Sequence, residues 1–378
     1  METLKDRLTA KIKTPKMLPL EWLNRSSLFP LLDVRSEGEF QDGHIPGAIS
    51  GPILNNDERH QVGLTYKHKG QEAAIALGLE LVAPHKEERL KNWLSQIESR
   101  VAVTCWRGGL RSRFASGWLK EAAGDKIEIV QITGGYKAIR RELINTLNKK
   151  REMWVIGGMT GSGKTALLKE MQREAKISSA QILDLEAMAR HRGSSFGNHV
   201  SSAGEKQEQP RQQTFENQIG LQLLKTHGAI ILENESTLIG KIFIPHTFKE
   251  QMKLAPLVVL ESPLSERVSA IFNDYLKTPI DSGCSPEKLW PILESNIKAL
   301  EKRLGGKETT EALRLVTEGK SDPLSLEKQT PWIELLLTRY YDKGYAQAKK
   351  NSKQTIVFRG NKNEVKAWLT EKVLTRMP

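Results

Sequence analysis

Two short stretches carry residue types that could do covalent or phosphate chemistry. In Val101–Ser112, "VAVTCWRGGLRS", a β-branched run ends at Cys105, and Arg107, Gly108, Gly109 and Arg111 follow. A turn between a strand and a helix N-terminus gathers backbone N–H groups, which favour negative charge at their focus. A thiol placed there ionises more readily, so Cys105 is a candidate nucleophile, with Arg107 and Arg111 adding positive charge. Trp106, Gly108, Gly109, Leu110 and Ser112 complete the anion loop, and its glycines let the backbone curl without Cβ clashes. Cys105 to Arg111 spells C-x5-R, a spacing used by anion-cradling cysteine loops. The loop is expected to open toward solvent or RNA. Cys284, in "DSGCSPEK", lacks this setting and is expected to be a buried structural cysteine.

The second stretch, "GGMTGSGKT", contains Gly158-x4-Gly163-Lys164-Thr165, the phosphate-loop pattern. Strand-like "MWVIG" precedes it and helix-like "TALLKEM" follows, which is the context the motif needs. Amides from Thr160 through Gly161, Ser162 and Gly163 to Thr165 would wrap a diphosphate or triphosphate. Lys164 would reach the outer oxygens, and the Thr165 hydroxyl would hold Mg²⁺. "AIILENES" ends a strand at Glu233, which is assigned with Thr165 to that metal, with Asn234 and Glu235 beside it. "ILDLE" places Asp184 and Glu186 at another strand tip as alternatives. The motif itself specifies phosphate and does not specify ATP. No tightly bound cofactor is expected.

These loops need strands to hold them. Eight short apolar runs read as strands: Phe29–Val34, Val101–Thr104, Ile127–Ile132, Met153–Ile156, Gln181–Leu185, Ala229–Leu232, Leu257–Leu260 and Thr355–Phe358. Helical stretches such as "RFASGWLKEAA", "KTALLKEMQREA" and "SERVSAIFNDYLK" lie between most of them, the βαβ signature of parallel sheets. The 378-residue length exceeds the roughly 250–300 residues at which single cores stop growing. A break near Lys149–Glu152 gives two α/β domains, 1–148 and 149–378, the second ending in a mostly helical part from about Pro286 to Lys350. "SSAGEKQEQPRQQ" reads as a polar surface loop within the second.

Lys and Arg total 57 against 45 Asp and Glu, a net charge of +12. Such an excess favours a polyanionic partner, most simply a nucleic acid, through counterion release. Two widely separated cysteines exclude a disulfide framework and suit a reducing compartment. No apolar run approaches the roughly 18 residues of a membrane span, and "METLKDRLTAKIKTPKMLPL" lacks the apolar core of a signal peptide, so a cytoplasmic protein is expected.

"LLDVRSEGEFQDGHIPGAISGPI", followed by the "CWRGGLRS" loop, resembles a rhodanese domain. That implies an open parallel sheet and a cysteine carrying a chalcogen. Asp33 and Arg35 would tie the sheet edge to the loop or form a plain structural ion pair, and His44 is assigned to structure. Further strings extend the likeness along nearly the whole chain: "NNDERHQVGLTYKHKGQEAAIALG", "GGYKAIRR", "GGMTGSGKT", "DLEAMARHRGSSFG", "TFENQIG", "RYYDKGY" and "VFRGNKNEVKAWL". Together they resemble the tRNA 2-selenouridine synthase family, which modifies the wobble uridine of tRNA. The string "ENESTLIG", with Asn234 and Thr237, departs from the family's more acidic pattern.

The resemblance implies a transferase with two steps. A geranyl group passes from geranyl diphosphate to the sulfur of 2-thiouridine, and selenium from selenophosphate then replaces the S-geranyl group. Cys105 would be the selenium-carrying nucleophile, and the phosphate loop would hold the diphosphate. Arg192 and Phe196, in "HRGSSFG", are candidate RNA contacts. A monomer would suffice. Two other readings use the same loops: a cysteine phosphatase fused to a P-loop kinase, and a non-catalytic tRNA-binding adaptor.

Overall fold

The computed structural model describes residues 14–174, 178, 181–194, 196–197, 205 and 207–374. Two compact units emerge: Met1–Leu147 with Arg211–Leu224, and Asn148–Pro210 with Lys225–Pro378.

The first unit is built on five parallel strands: β1 (Lys16–Met17), β2 (Leu31–Asp33), β3 (Ile49–Ser50), β4 (Arg100–Thr104) and β5 (Glu128–Ile132). Their spatial order is β1-β5-β4-β2-β3. Side chains alternate between two buried faces, as a pleated strand requires. Val101 and Val103 of β4 join Leu32, Trp93 and Leu119 on one face, while Ala102 joins Leu31, Val130 and Leu143 on the other. A strand covered on both sides reads as an unbroken apolar run, which is why β4 and β5 were visible as sequence. The strand β4 stops at Thr104, so Cys105 falls at its carboxyl tip, and helix Leu110–Ala123 begins directly after the loop.

Helix Gln212–Leu224 packs with this first unit, although it lies beyond the sequence break at Lys149–Glu152. Two glycines let it approach. A Cβ on Gly43 would sit 2.5 Å from the Cβ of Gln213, and one on Gly220 would sit 2.9 Å from the Cβ of Leu143 and 3.0 Å from its carbonyl oxygen. A buried polar network then fixes it. Asn217 donates to the His44 carbonyl (2.9 Å) and to the Tyr136 hydroxyl (3.1 Å), which donates to Gln213 Oε1 (3.1 Å). Arg140 pairs with Glu216 and donates to Asn217 Oδ1 at 3.0 Å. His44 is structural, stacked on Phe40 at 4.2 Å. Gly220→Val should overpack this seam and lower unfolding free energy by about 2–3 kcal/mol, read by urea denaturation. A variant as stable as the parent would show that the contact is not tight.

The second unit carries β6 (Met153–Gly157), β7 (Ile182–Leu183), β8 (Ile230–Glu233), the hairpin β9 (Leu238–Ile239) and β10 (Ile242–Phe243), then β11 (Leu257–Leu260) and β12 (Ile356–Gly360). The parallel sheet runs β12-β11-β6-β8-β7. All eight expected strands are present in these two sheets; β1, β3, β9 and β10, each two residues long, are too short to leave a periodic signal. A helical extension between Leu264 and Asn351 encloses its own core around Trp290, Leu293, Trp332 and Leu336, and Cys284 lies inside it, 1% exposed. Part of the polar stretch 201–213 lies outside the described residues, and its last two residues open the helix Gln212–Leu224. Among the described residues no helix is long and apolar enough to cross a membrane.

Candidate active sites

The cysteine loop is held by its backbone. Tyr136 N–H donates to the Cys105 carbonyl (2.9 Å) and Lys137 N–H to the Trp106 carbonyl (3.1 Å). Gly108 and Gly135 both have φ of +64°, and a Cβ on Gly135 would lie 2.2 Å from the Cys105 oxygen, so only glycine permits this approach. The Cys105 sulfur lies at the loop base, with the residue 3% exposed, and its inner side meets the apolar face of the sheet. It accepts the Gly109 N–H at 3.2 Å and stands 3.2 Å from Ser112 Oγ. Above it Trp106, Arg107 and Gly109 are exposed.

The two loop arginines separate. Arg107 stays at the surface, whereas Arg111 makes a two-point pair with Glu39 at 2.5 and 3.1 Å. Burial alone would push the Glu39 carboxyl up, but Arg111, the Ser36 N–H and Arg59 outweigh it and bring it down to about 2. The Arg111 charge is thus already matched and holds the loop to helix Glu37–Asp42. Asp33 and Arg35 form a fully buried pair at 2.6 Å, and Arg35 also donates to the Gly43 carbonyl at 2.8 Å. Gln131 escaped the sequence reading. Its Nε2 donates to Ser112 Oγ (2.8 Å) and to the Gly108 carbonyl (3.0 Å), beneath the loop. The signal was present, since glutamine interrupts the apolar residues that follow Glu128 in "EIVQI".

In the second unit β6 feeds the phosphate loop and helix Lys164–Arg173 leaves it. Gly161 and Gly163 take φ of +79° and +87°, and a Cβ on Gly158 would lie 2.7 Å from the Leu260 oxygen. Arg267 Nε props the loop through the Thr160 carbonyl at 2.9 Å and pairs with Asp342 at 2.5 Å. Lys164 Nζ lies over the loop, donating to the Gly158 carbonyl at 3.2 Å. Facing it are Glu186, Glu233 and Glu235, whose carboxylate oxygens fall within 4.8 Å of one another. Thr165 Oγ1 donates to Glu186 at 3.0 Å. Glu233 is 1% exposed, and among the described residues neither of its oxygens has a hydrogen-bond partner.

Buried carboxylates this close resist ionising together. Burial, then the neighbouring Glu233 and Glu235, pushes Glu186 up to about 9; burial and Glu235 push Glu233 up to about 8. Orphaned hard oxygens beside a phosphate loop fit a divalent cation such as Mg²⁺. Of the residues assigned to that cation, Glu233 lies in the carboxylate cluster and Thr165 bonds to it through Glu186, which comes from helix Leu185–Ala189. Asp184 does not join them, because it caps that helix by accepting the Ala187 N–H at 2.8 Å. Gly193 presses on the trio so closely that a Cβ would lie 2.5 Å from both Glu186 and Glu235.

A pH dependence follows from these shifts. The folded trio retains protons that the unfolded chain releases near pH 4.5, so stability should fall as pH rises from about 5 to about 9. Saturating Mg²⁺ should remove most of that fall, and Glu233→Gln should reduce it in part, since burial still raises Glu186 and Glu235. Melting temperature against pH, with and without Mg²⁺, checks this; a flat metal-free profile would refute it.

A cleft of about 2000 Å³ opens in front of the loop and trio, with Lys169, Arg190, Arg192, Arg303, Arg339 and Lys343 along its lining. Arg192 faces this cleft, donates to the Asp274 carbonyl and lies 5.1 Å over the Tyr275 ring. Phe196 is a correction: it is 5% exposed, edge-on to Tyr275 in the helical core, and is not placed to stack a base. The helical extension supplies an apolar wall that the short "HRGSSFG" string could not reveal.

Comparison with known proteins agrees with both halves. Residues 19–142 match the rhodanese-like domain model, and residues 151–376 match the tRNA 2-selenouridine synthase AAA domain model. A protein named tRNA 2-selenouridine synthase from Shewanella loihica is 36% identical, covering 90% of this chain and 93% of its own. The chain belongs to the tRNA 2-selenouridine synthase family. Like-named family members from Shewanella frigidimarina and Aeromonas salmonicida are 37% and 38% identical, covering 90% and 88% of this chain and 94% and 91% of their own. The rhodanese-like and P-loop α/β architecture described above is therefore that of a tRNA 2-selenouridine synthase family member.

Proposed function

We propose that the protein is a transferase acting on tRNA in the cytoplasm, converting wobble 2-thiouridine to 2-selenouridine by way of S-geranyl-2-thiouridine. The observation that carries this reading is the presence of two built anion sites in one chain of this family. One is a thiol under an amide; the other is a glycine cradle with a lysine, a threonine and three carboxylates.

In the first step the RNA sulfur attacks the carbinol carbon of geranyl diphosphate, and the carbon–oxygen bond breaks as diphosphate leaves. The phosphate-loop amides and Lys164 meet the charge developing on the departing oxygens. Thr165, Glu186, Glu233 and Glu235 would hold Mg²⁺, which supplies further charge neutralisation to the diphosphate when bound. In the second step selenium derived from selenophosphate bonds to C2 of the base, and the C2–sulfur bond breaks with the geranyl thiolate as leaving group. Alkylation makes that departure easier than loss of a bare sulfide. Cys105 assists the exchange at C2. Selenophosphate brings selenium to that carbon already at the selenide level, while its Se–P bond is hydrolysed to phosphate, so that no change of oxidation state is needed. Arg107 stands at the entrance of the loop. The basic excess supports a polyanionic substrate.

Nucleoside mass spectrometry of thiolated tRNA tests the reading. Geranyl diphosphate alone should yield the S-geranyl nucleoside, and adding selenophosphate should yield 2-selenouridine. Recovery of unchanged 2-thiouridine in both reactions would refute it. Turnover of a simple aryl phosphate by Cys105 would instead favour the phosphatase reading.

A further inference from the structure

Trp106 is a large apolar side chain left 37% exposed at the mouth of the cysteine loop. Its surroundings make that exposure specific. Tyr136, fully buried, lies behind it with ring centroids 5.8 Å apart and planes tilted by 34°. The Arg35 guanidinium, 1% exposed, sits 5.9 Å from the Trp106 centroid and 3.7 Å from that of Tyr136. Arg35 is itself clamped by Asp33, and the Tyr136 hydroxyl is held by Gln213 and Asn217. The Trp106 backbone is pinned by the Lys137 N–H. The indole is therefore backed by an ordered, buried stack and still leaves more than a third of its surface exposed. It stands one residue from the sulfur, with the exposed Arg107 beside it.

We propose that the exposed indole of Trp106 is the stacking platform for the tRNA base that the cysteine loop modifies. This rests on the RNA-modifying reading above and adds the residue that delivers the base. Sequence-specific proteins hold unpaired RNA bases by stacking them on aromatic side chains, with cations on the flanking phosphates. An indole already fixed in place loses little freedom when a base lands on it. Trp106 thus positions C2 of the pyrimidine near the Cys105 sulfur, and Arg107 engages the adjoining backbone.

The test measures binding of the full chain to two RNA hairpins by fluorescence anisotropy. One carries 2-thiouridine in its loop; the other is identical but abasic at that position. Wild type should prefer the thiouridine hairpin by roughly 5- to 100-fold. Trp106→Phe should keep most of that preference, and Trp106→Ala should collapse it to about onefold. Full preference in Trp106→Ala overturns the platform, as does an equal weakening of both hairpins, which would make the ring a prop for the loop. Equal binding of the two hairpins by wild type also overturns it. Wild type binding neither hairpin refutes the underlying RNA-modifying reading instead.

Discussion

Cys105→Ser should abolish selenium exchange while geranyl transfer to thiolated tRNA continues. The expected loss in 2-selenouridine formation is on the order of 10³-fold or more, because a hydroxyl neither ionises nor attacks as a thiol does. The fold should survive, since serine fits the cysteine volume at the tip of β4. The variant should accumulate the S-geranyl nucleoside when given both geranyl diphosphate and selenophosphate. Normal 2-selenouridine formation would remove Cys105 from the mechanism. Ser112→Ala should give a milder form of the same defect, because the hydroxyl 3.2 Å from the sulfur is one of two polar groups at it.

Lys164→Ala should do the opposite. Geranyl transfer should fall on the order of 10²- to 10³-fold, the scale on which single groups that stabilise transition-state charge act. An RNA supplied already geranylated should still exchange selenium at close to the parent rate, because the cysteine loop is built without Lys164. Loss of exchange on that pre-geranylated RNA would assign the phosphate loop a part in both steps. Removing the ammonium also takes away a charge that favours ionisation of Glu186, Glu233 and Glu235, leaving Lys249 beside Glu235, so the three carboxyls should hold their protons to higher pH in the variant.

The two glycine loops were legible in the chain because each is contiguous. A strand, a turn and a helix N-terminus occupy fewer than twenty successive residues, and the backbone makes the site wherever that order occurs. The parallel strands were legible for a related reason, since a strand buried on both faces must be apolar throughout. Residues that act across elements were less visible. Glu186 joins Glu233 and Glu235 only because β7 and β8 are neighbours in register, with Leu183 opposite Leu232. Glu39 claims Arg111 across 72 residues of sequence. Phe196 has the composition of an exposed aromatic loop residue, yet it is buried by helices that begin about seventy residues later.

The sequence by itself determined that there would be two α/β sheets, each presenting an anion loop at a strand tip, and that the chain carries a basic excess. Local backbone geometry and the apolar demand of covered strands suffice for that. Only the tertiary structure decided which charges remain available and which are already matched, and that helix Gln212–Leu224 packs against the cysteine unit. It also decided which aromatic faces outward. Those outcomes depend on which distant side chains meet, and burial at those meetings sets both the protonation of a carboxylate and the exposure of a ring.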